Sequence, residues 1–105
     1  VQTCALPIYT TTGPAHWDIL FRTRALDNQV YIAATSPARD LKSSYVAYGH
    51  SLVTDPYGKI INQLDEKEGI LISNLDLDYI DKIREELPLL KQARTDLYEL
   101  VSKKD

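Results

Sequence analysis

The sequence predicts part of an α/β layer structure, in which helices pack on a sheet that this chain does not complete. Three patterns lead to this class: an amphipathic helix, a strand of the kind buried on both faces, and a hairpin that follows it. A strand buried on both faces needs a covering layer on each side. Two helices cannot easily supply both layers, so we expect the chain to be one half of something larger.

The first predicted element is a helix over residues 14–28. Pro14 is compatible with the first helical position, and Thr12 or Gly13 suits the N-cap before it. Apolar residues recur at helical spacing, which places them on one side of the helix. They are Trp17, Ile19, Leu20, Phe21 and Leu26. We expect this side to pack inward.

Four strands are predicted after this helix. Their spans are 29–35, 51–54, 59–64 and 69–75. The first is rich in β-branched and aromatic residues and almost free of charge, which favours burial. The second and third are joined by Asp55-Pro56-Tyr57-Gly58, which matches a type I turn with a left-handed glycine. After a turn at 65–69, the fourth strand is expected to continue the hairpin as a meander.

A second helix is predicted over residues 76–87. Leu77, Ile80, Ile83 and Leu87 form its apolar stripe, and Pro88 stops it. The remaining residues, 89–105, combine a few apolar side chains with many charges. This tail is expected to be a short helix, an arm across a partner, or both.

The composition excludes some classes of function. A net charge of −3 and an isoelectric point near 5.3 do not favour a nucleic-acid partner, which requires clustered lysine and arginine. The longest apolar stretches, 30–34 and 70–73, are far shorter than the roughly 20 residues that span a bilayer, so no membrane segment is expected. A single cysteine cannot form an internal disulfide, and no secretory leader is evident. We therefore expect a cytoplasmic protein.

The first eight residues look foreign to the rest of the chain. The sequence contains no methionine, which suggests truncation at the start, and residues 1–8 (VQTCALPI) match the translation of a common short-read sequencing adapter. We expect residues 1–8 to be an artefact and residues 9–105 to be native. The only cysteine, Cys4, lies in this octapeptide, and its neighbours alanine, leucine and proline offer no base to activate a thiol. No catalytic role is expected for it.

Most recognised site patterns are missing from the sequence. His16 and His50 are 34 residues apart, and no native cysteine joins them, so no metal is expected. No Gly-x-Ser-x-Gly elbow frames a serine, and the four glycines do not form a phosphate-binding loop. We expect no cofactor.

Two places are candidate binding sites. Thr11, Thr12 and His16 surround the predicted N-terminus of the first helix, where unpaired amides and the helix dipole favour an anion. The alternative is a simple capping motif beside a core tryptophan. Arg39 lies in the loop after the first strand and is suited to a bidentate contact with a carboxylate. The alternative interpretation is that Arg39 forms a surface ion pair.

Several ordered blocks resemble the nitrilase superfamily of carbon–nitrogen hydrolases, and within it the omega-amidase branch. The blocks are TTGPAHW (11–17), RTRALDNQVY (22–31), SPAR (36–39), YGHS (48–51) with DPYG (55–58), and DLY (96–98). The resemblance extends from Thr10 to about Lys104. It implies the C-terminal half of a four-layer αββα sandwich, in a protein that is often a homodimer.

The resemblance also implies an activity. The family uses a cysteine nucleophile, a glutamate base and a lysine that stabilises the oxyanion, and it passes through a thioester. Omega-amidases hydrolyse the side-chain amides of 2-oxoglutaramate and 2-oxosuccinamate. The family segments that carry the three catalytic residues lie N-terminal to Thr10, so this chain is expected to contain no catalytic residue and to be inactive alone. Thr11, Thr12, His16 and Arg39 remain its candidate substrate-binding residues.

Two alternatives stay open. One is another amidase of the nitrilase group, such as a carbamoyl-amide hydrolase, although the block at 36–39 favours an omega-amidase. The other is a non-catalytic association module that uses the edge of the meander or the charged tail.

Overall fold

The computed structural model describes residues 8–104, and within them it contains two helices and a three-stranded antiparallel sheet. The elements in chain order are α1 Gly13–Asn28, β1 Ile32–Ala34, β2 Leu52–Thr54, β3 Ile60–Gln63 and α2 Asp78–Glu86. The strands lie in the order β1-β2-β3. The predicted α/β class is confirmed. The predicted order was helix, strand, hairpin, strand, helix, and every element of it is present among residues 8–104 except the strand after the hairpin.

Helix α1 begins and ends close to the predicted bounds. Thr12 is the N-cap, and the proline of the next turn fits the first helical positions. Gln29 ends the helix in a left-handed conformation (φ 50°), and its amide donates to carbonyls of the last turn. Trp17 is 2% exposed, whereas Ile19 is 64% exposed. The prediction that Ile19 packs inward was wrong, because two helical residues rotate its side chain by about 200° from Trp17.

The sheet is built around a tight hairpin. Ile32 pairs with Thr54 and Ala34 with Leu52 between β1 and β2, while a bulge interrupts the β2–β3 pairing. The turn has the predicted chemistry: a carboxylate oxygen of Asp55 accepts the amides of Tyr57 and Lys59, each at 2.9 Å. Gly58 donates to the Asp55 carbonyl at 3.0 Å and has a φ of 80°. This conformation requires glycine or strains any other residue.

The core lies between α1 and one face of the sheet. Trp17, Ala34 and Leu52 form its buried centre, and Phe21 stands edge-on to Trp17 with ring centroids 4.7 Å apart. Ile8 also packs against this cluster. Residues 1–7, which include Cys4, lie outside the described residues, so the predicted foreign origin of the octapeptide stays a prediction.

The opposite face of the sheet is less well covered. Ala33 is exposed there, so β1 is not buried on both faces within the described chain. Residues 69–75, here called the strap, do not form the predicted fourth strand. They cross this face rather than the edge of β3, and a cleft of about 380 Å³ remains between the strap and the sheet. Asn62 holds the strap by donating to the Ile72 carbonyl at 3.1 Å.

Helix α2 follows the strap and carries one buried side chain, Ile83. Acidic residues in its first turn and Arg84 in its last suit the helix dipole. The side-chain amide of Gln29 donates to the Leu87 carbonyl at 2.6 Å and joins the C-terminal ends of the two helices. No helix among residues 8–104 is long and apolar enough to cross a membrane.

Residues 88–104 form no helix and are largely exposed, so the predicted short helix was wrong, and an arm across a partner stays a prediction. Arg94 and Asp96 form a bidentate pair within these residues, with nitrogen–oxygen distances of 2.6 and 2.7 Å. This contact lowers the pKa of the Asp96 carboxyl. Because both side chains are exposed, the pair contributes little to folding.

Candidate functional site

The loop between β1 and β2 is closed by two serines. The Ser36 amide donates to the Ser51 hydroxyl at 2.9 Å, and that hydroxyl donates back to the Ser36 carbonyl at 3.2 Å. The Ser36 hydroxyl also accepts the Gly49 amide at 3.1 Å. These bonds join the two ends of the loop to each other.

Tyr48 is the centre of a cluster that joins this loop to α1. Its ring stacks on the His50 ring with centroids 4.1 Å apart and planes 20° from parallel. The guanidinium carbon of Arg39 lies 5.6 Å from the Tyr48 ring centroid. On the α1 side, a Cβ on Gly13 would overlap the same ring, so only glycine allows the helix to approach this closely. We call Arg39, Tyr48 and His50 the Tyr48 cluster.

Arg39 is half-buried and fixed from two directions. Its backbone amide donates to the Glu66 carbonyl, and its Nη2 donates to the Tyr48 carbonyl, each at 2.8 Å. Its Nε is buried and has no partner among residues 8–104. The ion pairs found in the described chain do not include Arg39, so its alternative as part of a surface ion pair is not observed there. The guanidinium is a positioned cation without a counter-charge in that part of the chain.

His50 shares the Tyr48 carbonyl with Arg39. Its Nδ1 lies 3.0 Å from that oxygen, a hydrogen bond that requires the proton on Nδ1 and leaves Nε2 as an acceptor in the neutral ring. The backbone of His50 is left-handed, with a φ of 62°, and its carbonyl accepts the indole N–H of Trp17 at 2.7 Å. The core tryptophan therefore fixes the backbone of a member of the Tyr48 cluster.

The N-terminus of α1 is already satisfied by its own chain. The amides of Thr12 and Gly13 donate to the Tyr9 carbonyl, while those of Ala15 and His16 donate to the Thr12 carbonyl. Since each N–H from 12 to 16 has an acceptor, this end offers the dipole but no free amide to an anion. Thr12 occupies the N-cap position but makes no side-chain cap hydrogen bond, so the ligand role of Thr11 and Thr12 stays a prediction.

The structure separates the two predicted groups of binding residues. His16 is exposed on the outer side of α1, where it lines a shallow depression of about 280 Å³ with Ile19 and Arg24. His16 does not lie beside Arg39, whereas His50 does. Neither His50 nor Tyr48 was selected from the sequence. The sequence signal that could have identified them is the block YGHS at 48–51. Its glycine and histidine have left-handed backbones, and this conformation places the Tyr48 and His50 rings beside Arg39.

The described residues form one wall of a site rather than an enclosed pocket. The cleft beside His50 and Ser51 has a volume of about 130 Å³. Ligand pockets are usually at least about 300 Å³. Among residues 8–104 there is also no group of three or more histidine, cysteine or acidic side chains arranged to hold a metal ion. A substrate at Arg39 needs further walls from another segment of polypeptide.

Comparison with known proteins gives a consistent family assignment. The sequence profile described as "Carbon-nitrogen hydrolase" matches residues 3–85. Omega-amidase NIT2 of Mus musculus is 53% identical over 106 residues, which cover 96% of this chain and 38% of that protein. Omega-amidase NIT2 of Xenopus tropicalis is 49% identical, with 97% and 39% covered. The chain thus spans about two fifths of the length of these curated relatives.

Solved structures support the same assignment. Saccharomyces cerevisiae Nit3, a member of branch 10 of the nitrilase superfamily, superposes with a TM-score of 0.77 and 53% identity over 82% of this chain and 32% of its own. The C. elegans NitFhit protein gives a TM-score of 0.83 and 37% identity over 88% of this chain and 22% of its own. In both, the matching region is a minor part of a longer protein.

Proposed function

This chain belongs to the carbon–nitrogen hydrolase family, and from that premise we propose that it is the C-terminal part of an omega-amidase. The complete enzyme hydrolyses the side-chain amide of 2-oxoglutaramate or 2-oxosuccinamate through a cysteine thioester. The observation that carries this proposal is the 53% identity with Omega-amidase NIT2 of Mus musculus across 96% of the chain. Identity at this level favours a shared substrate class over the broader amide chemistry of the family.

The contribution of this chain is a carboxylate-binding wall. Both substrates carry a carboxylate at the end opposite the amide, and an arginine fork matches a carboxylate in shape and charge. Arg39 is held by the Tyr48 carbonyl at one corner and lies close to the Tyr48 ring, which limits its rotamers. A preorganised cation loses less conformational entropy when it binds substrate. Thr11, Thr12 and His16 have weaker support, since the helix amides are paired and His16 lies elsewhere.

The reacting groups come from outside this chain. No catalytic residue is assigned to residues 9–105, and the proposal assigns the nucleophile, the base and the oxyanion-stabilising lysine to another segment of the complete enzyme. Cys4 lies outside the described residues and has no assigned role. The complete enzyme is a cytoplasmic homodimer in this proposal. The isolated chain is inactive, since loss of the nucleophile removes the covalent route.

A chimera tests the activity. The segment of Omega-amidase NIT2 of Mus musculus that this chain matches is replaced by residues 9–104, and hydrolysis of 2-oxoglutaramate is followed by ammonia release. The chimera is expected to be active, and the 105-residue chain alone is not. A folded chimera that hydrolyses an N-carbamoyl amide but not 2-oxoglutaramate refutes the omega-amidase assignment. Activity of the isolated chain that is lost in Cys4→Ala refutes the assignment of the chemistry to another segment.

A further inference from the structure

Residues 65–68, here called the 65–68 turn, lie between the sheet and the candidate site. The turn follows β3, and the Leu64 amide just before it donates to the Ser51 carbonyl at 2.8 Å, which continues the pairing of β2 with β3. Within the turn, a carboxylate oxygen of Asp65 accepts the Lys67 amide at 2.8 Å. A bond to the amide two residues on is the pattern of an Asx turn. The turn is therefore joined to the sheet at its start and closed by its own side chain.

Two consecutive carbonyls of the 65–68 turn hold two members of the Tyr48 cluster. The Asp65 carbonyl accepts the His50 amide at 2.9 Å, and the Glu66 carbonyl accepts the Arg39 amide at 2.8 Å. Both distances are typical of well-formed N–H···O bonds. The side chains of Arg39 and His50 also share one carbonyl of the loop between β1 and β2. Because the turn holds the backbone of Arg39, a displacement of the turn moves the guanidinium as well.

Gly49 allows the 65–68 turn to approach the loop this closely. A Cβ on Gly49 would lie 2.7 Å from the Glu66 Cα and 3.2 Å from the Asp65 carbonyl oxygen. These atoms are backbone and cannot turn aside as a side chain does. Any other residue at position 49 must therefore push the turn away by roughly 0.7 Å or more to reach an ordinary carbon–carbon contact. Such a displacement lengthens the bonds from the turn to the Arg39 and His50 amides.

We propose that the 65–68 turn, packed against Gly49, is a specificity element that positions Arg39 for the substrate carboxylate. This inference rests on the proposed function and adds the part of the chain that sets where the arginine fork lies. Gly49 and Asp65 are positioning residues, since they act through Arg39. The contact between an arginine fork and a carboxylate depends on distance and direction. Displacement of the turn therefore weakens the binding of substrates that carry the carboxylate and spares amides that lack it.

The first test compares two glycines with nearly the same backbone. Gly49 and Gly58 have φ of 78° and 80°, so alanine strains both, but only Gly49 lies against the 65–68 turn. In the active chimera, the reporter is the ratio of kcat/KM for 2-oxoglutaramate to that for a primary amide without the carboxylate. Gly49→Ala should lower this ratio at least about fivefold, mainly through KM, and Gly58→Ala should leave it unchanged. Equal falls in the two variants, or no fall in Gly49→Ala, overturn the proposal.

Arg39→Ala in the same chimera separates a failure of this proposal from a failure of the proposed function. A ratio that falls in Arg39→Ala but not in Gly49→Ala overturns the positioning role and leaves the arginine contact intact. A ratio that is unchanged in Arg39→Ala refutes the arginine contact, and the positioning role falls with it.

The second test changes the exposed Asp65 side chain and adds no strain to the backbone. Asp65→Ala removes the acceptor that closes the turn, whereas Asp65→Asn removes the charge and keeps an oxygen that accepts the Lys67 amide. Asp65→Ala should lower the ratio by about two- to fivefold, and Asp65→Asn should retain most of the parent's ratio. Equal falls in both variants assign the effect to the carboxylate charge and overturn the proposal, as does an unchanged ratio in Asp65→Ala.

A third measurement needs no enzymatic activity. Hydrogen exchange followed by NMR on the 105-residue chain compares the Arg39 and His50 amides with the Leu64 amide, which bonds within the sheet side of the hairpin. All three should be protected in the parent. In Gly49→Ala the first two should exchange at least about tenfold faster relative to Leu64, and in Gly58→Ala this relation should not change. Unprotected Arg39 and His50 amides in the parent, or no relative acceleration in Gly49→Ala, overturn the proposal.

Discussion

Residues 8–64 and residues 69–104 differ in where their apolar side chains and backbone groups find partners. In the first region, α1 and the sheet enclose Trp17 and Leu52, and paired serines close the loop that carries Arg39. In the second, only Ile83 of α2 is fully buried, while the strap and the tail expose large apolar side chains. Exposed apolar surface of this extent marks an interaction surface. The first region therefore supplies most of the stability, and the second carries more of the uncovered apolar surface.

The largest expected contrast comes from truncating one large side chain in each region. Trp17→Ala should lower the free energy of unfolding by about 3–5 kcal/mol, because it empties the centre of the core. Leu97→Ala removes a side chain that is 70% exposed and should change this free energy by no more than about 0.5 kcal/mol. Urea unfolding measures both. Similar losses in the two variants would show that the tail belongs to the folded core.

A smaller contrast uses one glycine from each region. Gly13→Ala places a methyl group into the Tyr48 ring, and overpacking of this kind costs about 1–3 kcal/mol. The gain in helix propensity is at most about 1 kcal/mol, so a net loss is expected. Gly69→Ala meets only Leu64, at an ordinary 3.5 Å, and should be nearly neutral. Thermal unfolding compares the two. A stabilised Gly13→Ala would mean that Tyr48 moves freely, and then Arg39 is not held as described.

The sequence predicted local structure better than long-range pairing. Pro14 and the turn residues Asp55 and Gly58 act within a few positions of themselves, so the helix start and the hairpin were correct. The strap has the composition of a strand. A strand also needs a neighbouring strand to pair with, and composition does not show which strand that is. Its predicted place in the meander was wrong for that reason.

The candidate site was predicted only in part, again because some of its contacts depend on the path of the backbone and not on local sequence. Arg39 was selected from its place after a strand, which is a local feature. The partners Tyr48 and His50 reach it only because the backbone turns left-handed at Gly49 and His50, with φ of 78° and 62°. A non-glycine residue with a left-handed backbone is uncommon, so the sequence did not point to this conformation at His50. His16 was selected instead, and α1 directs it to the outer surface.

The central claim is that Arg39 binds the substrate carboxylate, and the active chimera allows a direct measurement. The ratio of kcat/KM for 2-oxoglutaramate to that for a primary amide without the carboxylate is compared in the parent, Arg39→Ala and the exposed control Lys91→Ala. Losing a charge-assisted contact should lower this ratio by about 10- to 100-fold in Arg39→Ala, mainly through KM, and leave it unchanged in Lys91→Ala. An equal fall for both substrates, or no fall for either, would contradict the claim.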